Sequence, residues 1–371
     1  MALPTPRRSV WRSARRVGLR RARVDAFRVY AMVVVIVGHS EYALGPTGLT
    51  GVQVGQLALN IIGRFAVPLF LLLAGEHLSP RLLRDRAPGA SWPYVRRLAT
   101  MFVVASALYW CLDVAKLSRR LGLGSGLAAF AARLAHDPWP LFFHGARPHL
   151  WFLVALMFVV VLAGVVLSRA RVRTFVVISA ALYLLGLVIG PYAPVLGLPP
   201  ALQWGVFLLQ SALFFAVGVF FGLEREHTPR RTLGWLLIVL GLALHTLEVY
   251  WLSTAYGTSP FRLAMVAGTV PFAVGVGILA LEPDASPLDR WAGRFAGSVP
   301  TVYLMHMAFI ETLMPPPGRF PDLAVRLLLP LLTLVFSFGA AALFERLMAR
   351  KRRARRRGAT VDARRTTTEA P

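Results

Sequence analysis

Arginine and histidine stand in helical register in the first apolar run. In Asp25-Ala-Phe-Arg28-Val-Tyr-Ala-Met-Val-Val-Val-Ile-Val-Gly-His39, Arg28 and His39 are eleven positions apart. On an α-helix that is three turns plus about 20°, so both side chains share a face, about 16 Å apart along the axis. An imidazole can take a proton near neutral pH, and a guanidinium holds phosphate through forked, charge-assisted hydrogen bonds. The plainer alternative is that Arg28 reaches lipid headgroups while His39 bonds a neighbouring helix.

Other ionisable residues lie in or beside apolar runs, where each is costly and needs a partner, water or a function. Arg64 sits near the middle of the second run, ahead of Phe-Ala-Val-Pro-Leu-Phe-Leu-Leu-Leu-Ala-Gly-Glu76-His77. Tyr94-Val95-Arg96-Arg97 precedes the third. That arginine pair suits the phosphates of a cytoplasmic substrate, and topology control explains it equally well. His245 and Glu248 share a helix face further on, and Glu248 is the expected counter-ion for a buried arginine. Tyr303, His306 and Glu311 follow in a later run. A histidine and a carboxylate at such spacing are half of a metal site, but too few further ligands accompany them, and no metal is expected.

The elements that must position these groups are membrane helices. Of 371 residues, 56% are hydrophobic and only 16% charged, with a mean hydropathy of +0.60. Runs of the length that crosses about 30 Å of hydrocarbon as helix recur along the chain. A β-barrel would show shorter, alternating segments instead. The expectation is an all-α membrane protein with about ten transmembrane helices in one bundle, near 26–44, 52–78, 98–117, 149–168, 174–192, 202–222, 233–252, 261–282, 297–314 and 324–345. The connecting segments 79–97, 169–173, 223–232 and 283–296 carry thirteen arginines, whereas those on the other side carry five. Positive-inside asymmetry therefore places both termini in the cytoplasm of a multi-pass cell-membrane protein. The segment 118–148, with His136, Trp139, His144 and Arg147, is expected to cap the outer face. Residues 1–24 form a basic cytoplasmic tail, 25–345 the membrane domain, and 346–371 a second basic tail expected to be disordered.

The net charge of +24 is not a nucleic-acid signature, because residues 1–24 and 350–371 supply 15 of it and the aromatic residues lie in apolar runs away from the arginines. Such basic flanks set orientation and touch anionic lipid. The single Cys111 excludes disulfides and cysteine metal sites. The long basic leader, with no small-residue cleavage pattern after the first apolar run, reads as an uncleaved anchor.

Taken together these segments resemble the integral-membrane acyltransferase family often called acyltransferase 3, and more closely its branch that O-acetylates surface polysaccharides. Asp25, Arg28 and His39 match the family's opening pattern. Val67-Pro68-Leu69-Phe70 leads to Ala74-Gly75, where the family typically has Ser-Gly. Arg96-Arg97, His149-Leu-Trp-Phe-Leu153 and Tyr303-Leu-Met-His306 are also similar, and the resemblance covers roughly residues 24–345. It implies transfer of an acyl group, here taken as acetyl, from cytoplasmic acyl-CoA to a hydroxyl of a cell-envelope carbohydrate or related acceptor. It further implies His39 as the base, Arg28, Arg96 and Arg97 as phosphate or thioester contacts, and Arg64, Glu248 and His306 lining the acceptor side. Acyl-CoA would be a donor substrate, with no permanently bound cofactor. The competing function is a transporter or flippase, since buried Arg, His and Glu also build proton relays and substrate paths. Paired broken helices in two similar halves would mark it, and the sequence shows no such symmetry.

Overall fold

Within hydrocarbon every backbone N–H and C=O must be bonded inside the chain, and long apolar runs meet that demand as helices. The computed structural model describes residues 7–44, 50–136, 139–199, 205–223, 231–315 and 322–368, which are helical with short turns and no strand. The order is α1 (Arg7–Leu44), α2 (Thr50–Gly63), α3 (Ala66–Asp85), α4 (Trp92–Leu121), α5 (Leu123–His136), α6 (Trp139–Phe143) and α7 (Trp151–Leu167). It continues with α8 (Val172–Ile189), α9 (Val206–Leu223), α10 (Arg231–Tyr256), α11 (Thr269–Ala280), α12 (Pro287–Ala292), α13 (Val299–Leu313) and α14 (Asp322–Thr368).

Among the described residues, seven helical segments are long and apolar enough to cross a membrane: Val54–Asp85, Gly89–Leu121, Pro148–Leu167, Val172–Ile189, Val206–Leu223, Arg231–Tyr256 and Leu323–Arg350. The other three expected spans fall on α1, α11 and α13. α11 has 12 residues and α13 has 15, so they rise only about 18 and 22 Å. α1 carries Arg21, Arg23, Asp25 and Arg28 before its apolar stretch and Glu41 near its end. The second expected span is broken: Arg64 and Phe65 leave the helix between α2 and α3. The segment expected as an outer cap begins inside α4 and continues through α5 and α6.

Large apolar side chains cover the outside. Val103, Leu108, Val177, Leu184, Val239, Leu247, Leu327 and Val335 are 60–68% exposed, a surface suited to lipid tails. Inside, Leu71, Phe175, Phe214 and Phe215 are fully buried in a core shared by α3, α8 and α9, and Leu69 and Leu72 in a second one with α1 and α11. Glycine sets the approach of α3 to α9. A Cβ on Gly75 would stand 2.1 Å from the carbonyl oxygen of Phe215, and one on Gly218 would stand 1.9 Å from that of Leu72. Close backbone contact of this kind replaces the hydrophobic driving force that lipid removes.

α1 is clamped at both ends of its apolar stretch. At one end the Arg23 guanidinium bonds the carbonyls of Leu279 and Asp284, each at 2.6 Å, and pairs with Glu282 at 3.3 Å. There also the Tyr30 hydroxyl donates to Asp289 at 3.0 Å, and Asp289 closes a capping box with Ser286 at the start of α12. Burial pushes the Asp289 carboxyl up, but the hydrogen bonds from Ser286 and Tyr30, with Arg23 nearby, hold it below its ordinary value. At the other end Glu41 accepts from Gln56 at 2.9 Å and pairs with Arg326 of α14 at 2.8 Å. Arg28 lies within the first of these clamps and His39 just before the second, so their rotation and depth are set by tertiary contacts.

Candidate active site

A cavity of about 310 Å3 runs between α1, α3, α4, α7 and α13. Arg28, His77, Tyr94 and Arg97 line it near the ends of α3 and α4, while His39, His149 and Tyr303 line it deeper along α1, α7 and α13. Met32, Val35, Phe70, Met101, Phe152 and Leu156 form the apolar wall between. The shared helix face of Arg28 and His39 is thus turned onto one cavity. Arg28 is half-buried and bonds Asp25 at 3.1 Å.

Three imidazoles meet at the deep end. Ring centroids of His39 and His306 are 5.3 Å apart, those of His149 and His306 4.9 Å, and those of His39 and His149 6.3 Å. The Tyr303 carbonyl at 2.8 Å can only accept, so Nδ1 of His306 carries a proton, and neutral His306 has its lone pair on Nε2. The Tyr303 hydroxyl donates to the carbonyl of His149 at 2.6 Å. The Tyr109 hydroxyl donates to the carbonyl of Leu304 at 2.9 Å and accepts from the N–H of Ala308 at 3.2 Å. Both ring nitrogens of His149 and Nε2 of His306 are buried without a hydrogen-bond partner. A buried polar group left so costs about 1–3 kcal/mol, a cost that a ligand in the cavity would relieve. Among the described residues no group of three or more His, Cys, Asp or Glu side chains is arranged to hold a metal ion.

Behind this group the Arg147 guanidinium grips both oxygens of Asp113, at 2.6 and 2.8 Å, and both of Glu311, at 2.5 and 3.1 Å. It also lies over the ring of Tyr109, 4.9 Å from its centroid. Glu311, on the same helix as His306, therefore serves to join α4, α13 and the approach to α7.

The remaining candidate residues divide. Arg96 and Arg97 are both exposed, but only Arg97 lines the cavity. Arg64 and Glu248 belong to a separate polar group. Arg64 donates to Asn60 at 2.5 Å and to the carbonyls of Phe261 and Pro260 at 2.9 and 3.5 Å. Glu248, expected to neutralise a buried arginine, accepts instead from the Tyr192 hydroxyl and, at 2.7 Å, from the N–H of Gly268. His245 pairs with Thr269 at 3.0 Å. The physical reason is local: the turns after α10 leave backbone carbonyls and N–H groups without helical partners, and these satisfy the buried charges.

His149 is the site residue that spacing alone does not reveal. An imidazole opening an apolar run is visible in the sequence, but nothing there ties it to His39 until the turn before α7 is brought beside α1 and α13. Neither the curated proteins nor the solved structures contain a match to the chain. The family model described as an acyltransferase domain matches residues 21–346, a span that contains the whole cavity and the three histidines. The chain therefore belongs to the acyltransferase 3 family, and with its apolar helices it is a multi-pass membrane acyltransferase.

Proposed function

We propose that the protein moves an acetyl group from cytoplasmic acyl-CoA to a hydroxyl of a cell-envelope carbohydrate, in a ten-span arrangement within the cell membrane with both termini in the cytoplasm. The observation that carries this is one cavity with cations at one end, Arg28 and Arg97, and an imidazole, His39, at the other. Thioester chemistry needs those features in that order. Cations hold the phosphates of CoA near the aqueous mouth, an apolar passage admits the thin arm that carries the thioester, and a base at the far end deprotonates the acceptor. The axial distance of about 16 Å from Arg28 to His39 keeps phosphate and reacting carbon apart.

In this reading His39 removes the hydroxyl proton as oxygen attacks the thioester carbon, then returns it to the departing sulfur. His306 sits against His39 and orients it. Arg64 and Glu248 hold α2, α10 and the segment around Gly268 together, leaving the cavity as the place of reaction.

The test is acyl transfer by membranes supplied with radiolabelled acetyl-CoA and envelope extract. His39→Ala should lower the rate by about 10² to 10⁴ at unchanged membrane abundance, the range for loss of a general base. Arg28→Ala should be severely impaired and Arg28→Lys restored in part, because a point charge lacks the guanidinium fork. A His39→Ala protein within a few-fold of wild type would remove the base from the mechanism.

A further inference from the structure

A base and phosphate contacts do not complete an acyl-transfer site: when oxygen adds to the thioester carbon, negative charge grows on the former carbonyl oxygen, and a preorganised donor must meet it. The cavity wall narrows the choice. At its deep end the Tyr303 hydroxyl is committed to the carbonyl of His149, and Arg28, His77, Tyr94 and Arg97 lie at the other end. Tyr109 and His306 do not line the cavity, and both bond backbone carbonyls. His149 does line it, is 2% exposed, and has both ring nitrogens uncommitted. Its ring is also held in place. Tyr109, Tyr303 and His306 surround it edge-on at centroid distances of 5.7, 5.5 and 4.9 Å, with interplanar angles of 78°, 68° and 73°. The other lining residue there with a donor, Trp151, is packed edge-on against Phe152 and Phe207.

We propose that His149 is the oxyanion donor of this site, a neutral imidazole whose N–H meets the thioester carbonyl oxygen while His39 acts on the attacking hydroxyl from the other side. The assignment rests on the cavity being the site of acyl transfer. Both imidazoles line the same cavity, with ring centroids 6.3 Å apart, so neighbouring oxygens of the reacting groups seated in that cavity can each meet one of them. The acceptor oxygen bonds to the carbonyl carbon as its proton passes to His39, and the C=O π electrons move onto oxygen against the N–H of His149. Collapse re-forms C=O and breaks the C–S bond, and His39 returns the proton to sulfur, giving the ester and the CoA thiol. His149 starts and ends as the neutral imidazole.

The test uses the full-length protein in lipid nanodiscs with acetyl-CoA labelled with 13C at the carbonyl, read by isotope-edited infrared difference spectroscopy. Bound wild type should show the thioester C=O stretch shifted to lower frequency than in solution. His149→Phe, which keeps a ring among its three neighbours, should lose the shift and lower kcat by about 10² to 10³, the range for one oxyanion donor. His149→Gln should regain part of both through its amide N–H. His39→Ala should keep the shift while losing transfer, which separates the two histidines, and Trp151→Phe should keep the shift. A shift that persists in His149→Phe, or a shift lost in Trp151→Phe instead, would overturn the proposal. Failure of the wild type to bind acetyl-CoA at all would overturn the acyl-CoA function and this proposal with it.

Discussion

Arg147→Met is expected to destabilise the folded protein by about 3–5 kcal/mol, the penalty for removing one partner from a buried ion pair. The side chains of Arg147, Asp113 and Glu311 are only 10%, 12% and 25% exposed, and one guanidinium answers both carboxylates. Taking it away leaves Asp113 without a cation and Glu311 with Lys116 alone, at 2.8 Å. Lys116 is 52% exposed, and a pair with so exposed a partner contributes only about 0–1 kcal/mol. Folded proteins have about 5–15 kcal/mol in total, so the loss should be evident in unfolding of purified protein in detergent, followed by tryptophan fluorescence. The companion variant carrying Arg147→Met, Asp113→Asn and Glu311→Gln should recover most of that stability, because neutral groups do not need the lost cation. Activity should fall with the single change as well, since Arg147 braces Tyr109, whose ring contacts His149. A single variant within about 1 kcal/mol of wild type, or a triple variant less stable than the single, would refute the reasoning.

Arg97→Ala should raise the apparent KM for acetyl-CoA more than it lowers kcat, while Arg96→Ala should leave KM within a few-fold, because only Arg97 lines the cavity; equal effects in steady-state assays would count against this placement of the phosphates. Gly75→Ala sets helix propensity against packing: alanine gains about 1 kcal/mol in a helix interior, yet its Cβ would meet the Phe215 carbonyl at 2.1 Å, so thermal unfolding should show a net loss, and a gain would contradict the α3–α9 contact. Topology reporters after residue 371 and within 79–97 should read cytoplasmic, and one within 118–148 external; a cytoplasmic signal from the last would overturn the ten-span arrangement.

Helical membrane architecture, the orientation expected of it and the alignment of Arg28 with His39 follow from the sequence by itself. Each depends on quantities local along the chain: run length against bilayer thickness, arginine density in successive loops, and rotation per residue on one helix. The helix break at Arg64 and the shortness of α11 and α13 were less legible, because hydropathy averages over windows longer than the interruption. Tertiary structure decided the rest. Which of Arg96 and Arg97 faces the cavity depends on how α4 is rotated against α1 and α3. That rotation is set by packing across the bundle, where α3 in turn depends on glycine contacts with α9. Glu248 finds Tyr192 and Gly268 instead of Arg64 because chain turns far apart in sequence bring free backbone groups to each. His149 joins His39 and His306 only once α7 and α13 close on α1, and no periodicity within one segment encodes a meeting of three helices.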